Sequence, residues 1–458
     1  MRQLAASLPE LQSEVSIRNL ACLIALPAWA QFSGLAVTDD GTQVYFSSPL
    51  VLTADSRTGL NSELRLYRWT ANGVEFVAER GSLAAPGVSS ANAGVTGARV
   101  SGDGSLYGYT MYNVCASPVQ NGVCDNVLPY QAVLQGRISA PLGAGQLHLS
   151  RNGRWALLNQ TVTWNYRVGP PVLFDTQAAS VSYPPGIIIG TQSVSSGGMV
   201  LTSSGIWEAS TGTALPYGLE TPFLPLAISD DGSSYVYRAN LYDSAGKYTG
   251  YGLGAHSIAT GADIRLFTPA AGSSQLPQFM GVSNDGVKVL YRVTDSGTEG
   301  PAFLADARSG ISAPIPLADG ELATDGAMNG PGDIVALATS FHRIVMLRYA
   351  SGAVADSRTI VPVTAWATVP SLAPGSIARI AAPVPPGVEG RILVASAVAP
   401  MVAATGRQFI FQVPWEQPAG AATVTFDYAT QSPFRQTQRT NVYPLFPGFE
   451  KADPGFSQ

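Results

Sequence analysis

Apolar and polar residues alternate on both sides of a short polar turn, and this arrangement recurs along most of the chain. Aligned on the turn glycine, the clearest copies are LAVTDDGTQVYF (35–46), ARVSGDGSLYGY (98–109), LHLSRNGRWALL (147–158), LAISDDGSSYVY (226–237) and MGVSNDGVKVLY (280–291). Two weaker relatives are SVSSGGMVL (193–201) and AMNGPGDIVAL (327–337). Six and four residues before the glycine stand pairs such as Leu35/Val37, Leu147/Leu149 and Met280/Val282. Three and five after it stand Val44/Phe46, Tyr235/Tyr237 and Val289/Tyr291. Period-two alternation on both sides of a turn predicts a β-hairpin with one face buried. The turn chemistry agrees, because Ser with Asp or Asn can bond the turn backbone while Gly accepts positive φ.

A second pattern follows each hairpin: strand, turn, strand, as in LRLYRWTANGVEFV, VLFDTQAASVSY, AHSIATGADIRLF and IVMLRYASGAV. Each unit then reads as four antiparallel strands with a period of roughly 46 residues, that of propeller blades. A single such sheet cannot cover both of its faces, so the units must stack around an axis. The prediction is an all-β chain: a β-propeller over residues 33–358, seven-bladed, with six or eight blades possible because two copies are degenerate. The tight hairpins close one face, and the third-to-fourth strand turns are expected on the other. The long second-to-third strand loops open opposite the Asp-Gly turns.

The Ser-x-Asp-Gly hairpins resemble the WD40-like repeats of TolB-type propellers, which usually carry Trp-Ser-Pro before the Asp-Gly; here that tripeptide is missing. After residue 358 the texture changes to short strands between Pro and Gly turns, which predicts a small immunoglobulin-like β-sandwich over 359–458. There, Pro374-Gly375-Ser376, the Gln412–Glu416 run QVPWE and Pro447-Gly448-Phe449 resemble the C-terminal domain of secreted acidobacterial proteins of Solibacter type. That resemblance implies export and an accessory role and brings no catalytic residues. The stretch between the first two motifs is shortened relative to that family.

Composition narrows the classes. With 458 residues, 12% charged, and 48 Gly and 33 Pro, the chain suits many short strands and turns rather than long surface helices. The net charge of −5 is spread without a basic stripe, which disfavours nucleic acid. Arg18, an apolar run from Leu20 to Pro27 and Ala28-Trp29-Ala30 fit a secretory signal over 1–30 with a long lead-in. The run is too short to span a membrane. Export would place the chain in the periplasm, at the cell surface or outside the cell, where Cys115 and Cys124 in CASPVQNGVC would pair as a loop-stapling disulfide.

The sequence holds no Gly-x-Ser-x-Gly elbow, P-loop or dinucleotide fingerprint, and no cofactor or metal is expected. His148, His256 and His342 are scattered over different blades and read as strand residues. The repeated Asp-Gly carboxylates read as turn-makers rather than calcium ligands. Function concentrates on long loops held by a rigid scaffold. Those loops carry Arg57, Tyr112, Trp164, Tyr166, Tyr242 and Tyr248, and the Tyr and Trp rings among them have an apolar face and a polar tip suited to sugars or peptides. The expectation is an exported, non-catalytic recognition or scaffold protein that binds a glycan, peptide or envelope protein. The alternative is a polysaccharide hydrolase or lyase using Asp55, Glu63, Asp243 or Glu299.

Overall fold

Each Ser-x-Asp-Gly turn is a closed set of hydrogen bonds, and that local economy is why the motif repeats. In the second copy, Ser101 Oγ donates to Asp103 Oδ1 at 2.6 Å and accepts from Leu106 N at 3.0 Å. Asp103 Oδ1 also accepts from Ser105 N, and Gly104 donates to Ser101 O with its φ at 70°. The same pattern holds for Thr38/Asp40, Ser150/Asn152, Ser229/Asp231 and Ser283/Asp285. The carboxylates are occupied as turn acceptors.

The computed structural model describes residues 32–49, 52–53, 64–80, 94–115, 127–136, 140–159, 170–219, 223–270, 272–295, 297, 299–341, 343–361, 377–381, 390–395, 397–405, 408–414, 416–417, 420–428 and 434–442. From these turns grow seven antiparallel sheets, each a meander of consecutive strands. The first is β1 (Ser33–Val37), β2 (Val44–Ser48), β3 (Arg65–Thr70) and β4 (Gly73–Ala78); the second is β5 (Gly94–Val100), β6 (Leu106–Cys115), β7 (Val127–Gly136) and β8 (Ala140–Ala144). The third is β9 (Gln146–Leu149), β10 (Trp155–Asn159), β11 (Val172–Asp175) and β12 (Ser180–Ser182). The fourth has β13 (Met199–Thr202), β14 (Gly205–Glu208) and β15 (Thr213–Leu215). The fifth is β16 (Phe223–Ile228), β17 (Ser234–Tyr242), β18 (Tyr248–Ser257) and β19 (Asp263–Phe267). The sixth is β20 (Gln275–Val282), β21 (Lys288–Asp295), β22 (Ala302–Asp306) and β23 (Ser312–Pro314). The seventh is β24 (Ala323–Met328), β25 (Ile334–Thr339), β26 (Ile344–Ala350) and β27 (Ala353–Val361).

Seven buried apolar clusters sit between these sheets, one at each interface, and together they close a ring. Leu35, Val37 and Phe46 of the first blade pack against Ala336, Ile344 and Met346 of the seventh. The opposite face of the first blade, with Ala36 and Tyr45, packs against Val95 and Tyr109 of the second. The chain is therefore an all-β, seven-bladed β-propeller. The hairpins do not bury one face, as the alternation predicts; they bury both, and β2 is buried along its whole length. The second face escapes the alternation rule because small Ala and amphipathic Tyr fill it.

The fourth blade is the degenerate one. Its inner edge is formed by isolated bridges, Val194 to Val200 and Ile188 to Thr202, instead of a continuous ladder. Pro184 and Pro185 precede this edge and lack the N–H groups a strand would use.

A meander also fixes where connections emerge. First-to-second and third-to-fourth turns lie on the same face, which corrects the expectation that they serve different ones; the second-to-third loops do leave from the opposite face. At the Asp-Gly face the turns join into a collar. Asp39 N donates to Gly102 O, Gly102 N to Arg151 O, Asp231 N to Asn284 O, and Asn284 N to Gly330 O. Gly330 N completes the circuit on Asp39 Oδ1 at 2.8 Å. The residue between Ser and Asp, as in Asp39, Gly102, Arg151 and Asn284, is mostly the one that links blades; in the fifth blade Asp230 accepts from Ser196 N and Arg151 N while the next residue, Asp231, donates onward.

Beyond the propeller lie two further antiparallel sheets, each described by itself. One orders β28 (Ile377–Ala381), β32 (Gln408–Gln412) and β31 (Met401–Thr405). The other orders β30 (Ala397–Ala399), β29 (Gly390–Val394), β33 (Gly420–Tyr428) and β34 (Phe434–Val442). Residues 1–31, which carry the expected secretory signal, lie outside the described residues, as do 374–376 and 447–449. Among the described residues no helix is long and apolar enough to cross a membrane.

Candidate functional site in the central channel

The inner strands do not run smoothly past the axis. Register shifts occur in β1 between Ser33 and Ala36, in β5 between Thr96 and Arg99, and in β24 between Ala323 and Asp325. β16 and β20 shift at the same level as β1 and β5, and β24 shifts two residues further from its turn. Such bulges bend a strand and re-aim the side chain that follows. Here the residues that follow are Ala36, Arg99 and Asp325. Close approach of neighbouring strands requires glycine: Gly34 has φ of 63°, and a Cβ there would meet Gly97 N at 2.9 Å.

These strands enclose a cavity of about 590 Å³, lined among others by Arg99, Tyr112, Gln192, Asn284 and Asp325. That volume is in the range of small-molecule sites. Arg151 and Asn284 place one end of the cavity at the Asp-Gly collar, while Leu64 and Tyr112 place the other at the long-loop face. Across the collar, Arg151 Nε and Nη2 meet Asp39 Oδ1 at 2.8 and 2.7 Å. Arg151 N donates to Asp230 Oδ1, and burial raises the carboxyl pKa of Asp230 despite the Ser196 hydroxyl and Arg151 beside it.

Arg99 is half-buried, facing the channel rather than bulk water. Nη1 donates to Ala98 O at 2.9 Å and Nη2 to Thr191 O at 3.2 Å. Among the described residues no carboxylate lies within ion-pair distance of it. Burial lowers its pKa, and the fields of Asp325 and Tyr112 oppose that shift. Asp325 accepts from Gly34 N through Oδ2 at 2.6 Å and from Gly326 N through Oδ1 at 2.8 Å. Burial nevertheless raises its pKa, against those bonds and the field of Arg292. Arg292 is spent on carbonyls, donating from Nη1 to Ala323 O and Thr324 O.

His148 on β9 is 4% exposed and lies behind Arg99. Its Nδ1 meets Thr191 O at 3.2 Å, and a carbonyl only accepts, so Nδ1 carries the proton. Nε2 is then a buried lone pair without a partner. Burial first, then the charge of Arg99, push the imidazole down to about 3. It is neutral at physiological pH. His256 on β18 is buried against Tyr235, ring to ring at 5.1 Å, and His342 lies outside the described residues.

Of the residues singled out by sequence, Tyr112 lines the cavity and packs edge-on to Tyr130 at 4.9 Å, with Arg80 Nη1 donating to its carbonyl. Tyr242 and Tyr248 lie on the protruding β17–β18 hairpin, 51% and 45% exposed. Tyr242, Tyr248 and Tyr251 follow edge-to-face at 6.0 and 5.4 Å, and Arg238 stacks on Tyr251 at 4.5 Å. Arg57, Trp164 and Tyr166 lie outside the described residues, as do Asp55, Glu63 and Cys124. Cys115 is buried at the end of β6. Asp243 is an exposed turn acceptor for Ala245 N and Lys247 N. Glu299 lies within electrostatic reach of Arg292. Among the described residues no three His, Cys, Asp or Glu side chains gather as a metal would require.

Sequence reading missed Arg99 and Asp325. A signal for the first was present: five residues before the turn glycine the copies read Ala36, Arg99, His148, Ser193, Ala227, Gly281 and Ala327. A small residue stands everywhere except in two adjacent blades.

No family model matches the sequence, and no curated protein matches it significantly. Solved structures that it resembles include the C-terminal WD40 domain of Sif2, at 12% identity over 70% of this chain and 97% of that one, with a TM-score of 0.39. An oligogalacturonate lyase from Vibrio parahaemolyticus gives 9%, 69%, 89% and 0.41 for the same measures. A GH74 xyloglucanase from Xanthomonas campestris gives 12%, 89%, 73% and 0.48. A WD40 domain, a lyase and a xyloglucanase thus stand side by side, and none of these likenesses bears on what this chain does.

Proposed function

We propose that this is an exported, non-catalytic recognition protein whose long-loop face and channel mouth bind a glycan. The observation that carries this reading is the Tyr242–Tyr248–Tyr251 ladder, which leaves large aromatic rings in water on the face where Tyr112 lines the channel. Exposed rings with a polar tip stack on sugar faces while their hydroxyls bond to water or ligand. A peptide or an envelope protein is the competing partner for the same surface. Pairing of Cys115 with Cys124 belongs to the proposal. It is supported by the β6–β7 ladder, whose last pair, Cys115 and Val127, brings the strand ends together. An immunoglobulin-like build and Solibacter-type kinship for the C-terminal sheets belong to it too.

A glycan array and a pull-down with the Tyr248→Ala and Trp164→Ala variants test this reading. Binding that is unchanged in both would remove the long-loop face from the account.

A second reading, a polysaccharide lyase or hydrolase, is favoured by one observation: Asp325, a carboxylate with raised pKa, shares the cavity with the cation Arg99. A base beside a charge-neutralising Arg is what proton abstraction requires. Turnover of an acidic polysaccharide that disappears in Asp325→Asn would establish it; absence of turnover by the wild-type chain on such polymers would end it.

A further inference from the structure

The geometry points to the channel as a binding site for the terminal sugar acid of an acidic glycan, its carboxylate held by Arg99 and its hydroxyls by Asp325. This inference rests on the reading above and names the ligand class.

Three observations converge on it. Arg99 is a cation inside the ring that spends two N–H groups on the carbonyls of Ala98 and Thr191. A guanidinium has five, and its planar fork matches a carboxylate in a bidentate pair. Among the described residues no side-chain carboxylate takes that role within ion-pair distance. His148, which shares the Thr191 carbonyl, holds that acceptor in place while remaining neutral, so it adds no second charge beside Arg99.

Asp325 decides the kind of anion. It lines the same cavity from the seventh blade while Arg99 lines it from the second, one on either side of the first blade. A phosphate or sulfate dianion would meet its negative field at short range. A monocarboxylate would not carry that excess, and the hydroxyls beside it are donors that an acceptor-only group can use. With Arg99 and Asp325 together the site is close to neutral. The chain's net charge of −5 likewise offers no general attraction to a polyanion. Recognition is then of one acidic end, not of a charged polymer along its length. The exposed tyrosines on the same face supply stacking for the sugars that follow.

The test is equilibrium binding by the full chain to a glucuronate-terminated oligosaccharide, its carboxyl-reduced neutral counterpart, and a short peptide with free C-terminus. The expected result is binding of the acidic sugar only, weakened about 100-fold in Arg99→Met and partly restored in Arg99→Lys. Asp325→Asn should weaken binding about tenfold. Unchanged melting of each variant separates ligand loss from unfolding, and Arg99→Lys stands in if Arg99→Met does not fold. Equal binding of the neutral sugar, or indifference to Arg99, overturns the carboxylate site; the glycan reading survives if Tyr248→Ala still weakens binding. Binding of the peptide without either sugar overturns both. Binding of none of the three probes overturns the sugar-acid site, and the glycan array then decides the broader reading separately.

Discussion

Gly34 donates its backbone N–H to Asp325 Oδ2 at 2.6 Å across 291 residues of chain. This bond joins the first blade to the last. Each blade is built from consecutive strands, so among the described sheets no strand from one end of the propeller completes a blade at the other. Closure rests on hydrogen bonds and packing: Asn329 Nδ2 to Asp39 O, Gly330 N to Asp39 Oδ1, Arg348 Nη2 to Asp40 O, and the apolar cluster around Phe46.

Asp39 is where closure is most exposed to a single change, because Oδ1 accepts from Gly330 N and from Arg151 Nε. Asp39→Ala should cost about 2 kcal/mol, leaving Arg151 unpaired at the collar. In a domain this large that lowers the melting temperature by a few degrees, measurable by calorimetry. Asp39→Asn, which keeps an acceptor, should cost less.

Turn glycines separate conformational strain from crowding. Gly41 and Gly246 have φ of 67° and 78°, but a Cβ at Gly41 would meet Ile334 Cδ1 at 2.6 Å, whereas nothing lies within 4 Å of one at Gly246. Gly246→Ala should cost about 1 kcal/mol, from positive φ alone. Gly41→Ala adds a clash across the closure seam and should cost about 2–4 kcal/mol. Urea unfolding of the two variants gives the difference.

His148 predicts the response to acid. Its folded pKa of about 3 lies below the ordinary 6.5, so its contribution is fully present above pH 6.5 and is lost as pH falls toward 3. By pH 4 about 3 kcal/mol should be gone. Asp306, held down at about 2 chiefly by Lys288, acts in a lower window: its contribution is present above about pH 4 and is lost as pH falls through 2. Between pH 6.5 and 4 the stability of His148→Gln should be flatter than that of wild type. Equal slopes in urea titrations would contradict the buried neutral imidazole.

Legibility followed chemistry that repeats. The Asp-Gly hairpins and the strand pairs after them could be read, because turn glycines and alternating apolar residues report local structure directly; only in the fourth blade does the first strand reduce to isolated bridges. Phe46 and Val37 announced a core, but burial of the second face was hidden in Ala36 and Tyr45, which are read as indifferent or surface residues. The channel was hidden for a different reason. Arg99 and Asp325 lie 226 positions apart, and bulges invisible to periodicity turn them inward. Aromatic loops drew attention because exposure can be guessed from sequence; convergence on an axis cannot. Tyr112 belongs to both sets, an aromatic residue legible in the sequence that also lines the cavity.

The most direct measurement is a crystal structure of the full chain soaked with the glucuronate-terminated oligosaccharide. The account predicts seven blades, with the seventh seated on the first through Gly34 and Asp325. It also predicts the sugar carboxylate within about 3 Å of the Arg99 guanidinium. A sugar seated outside the channel, or a ring with a different number of blades, would contradict it.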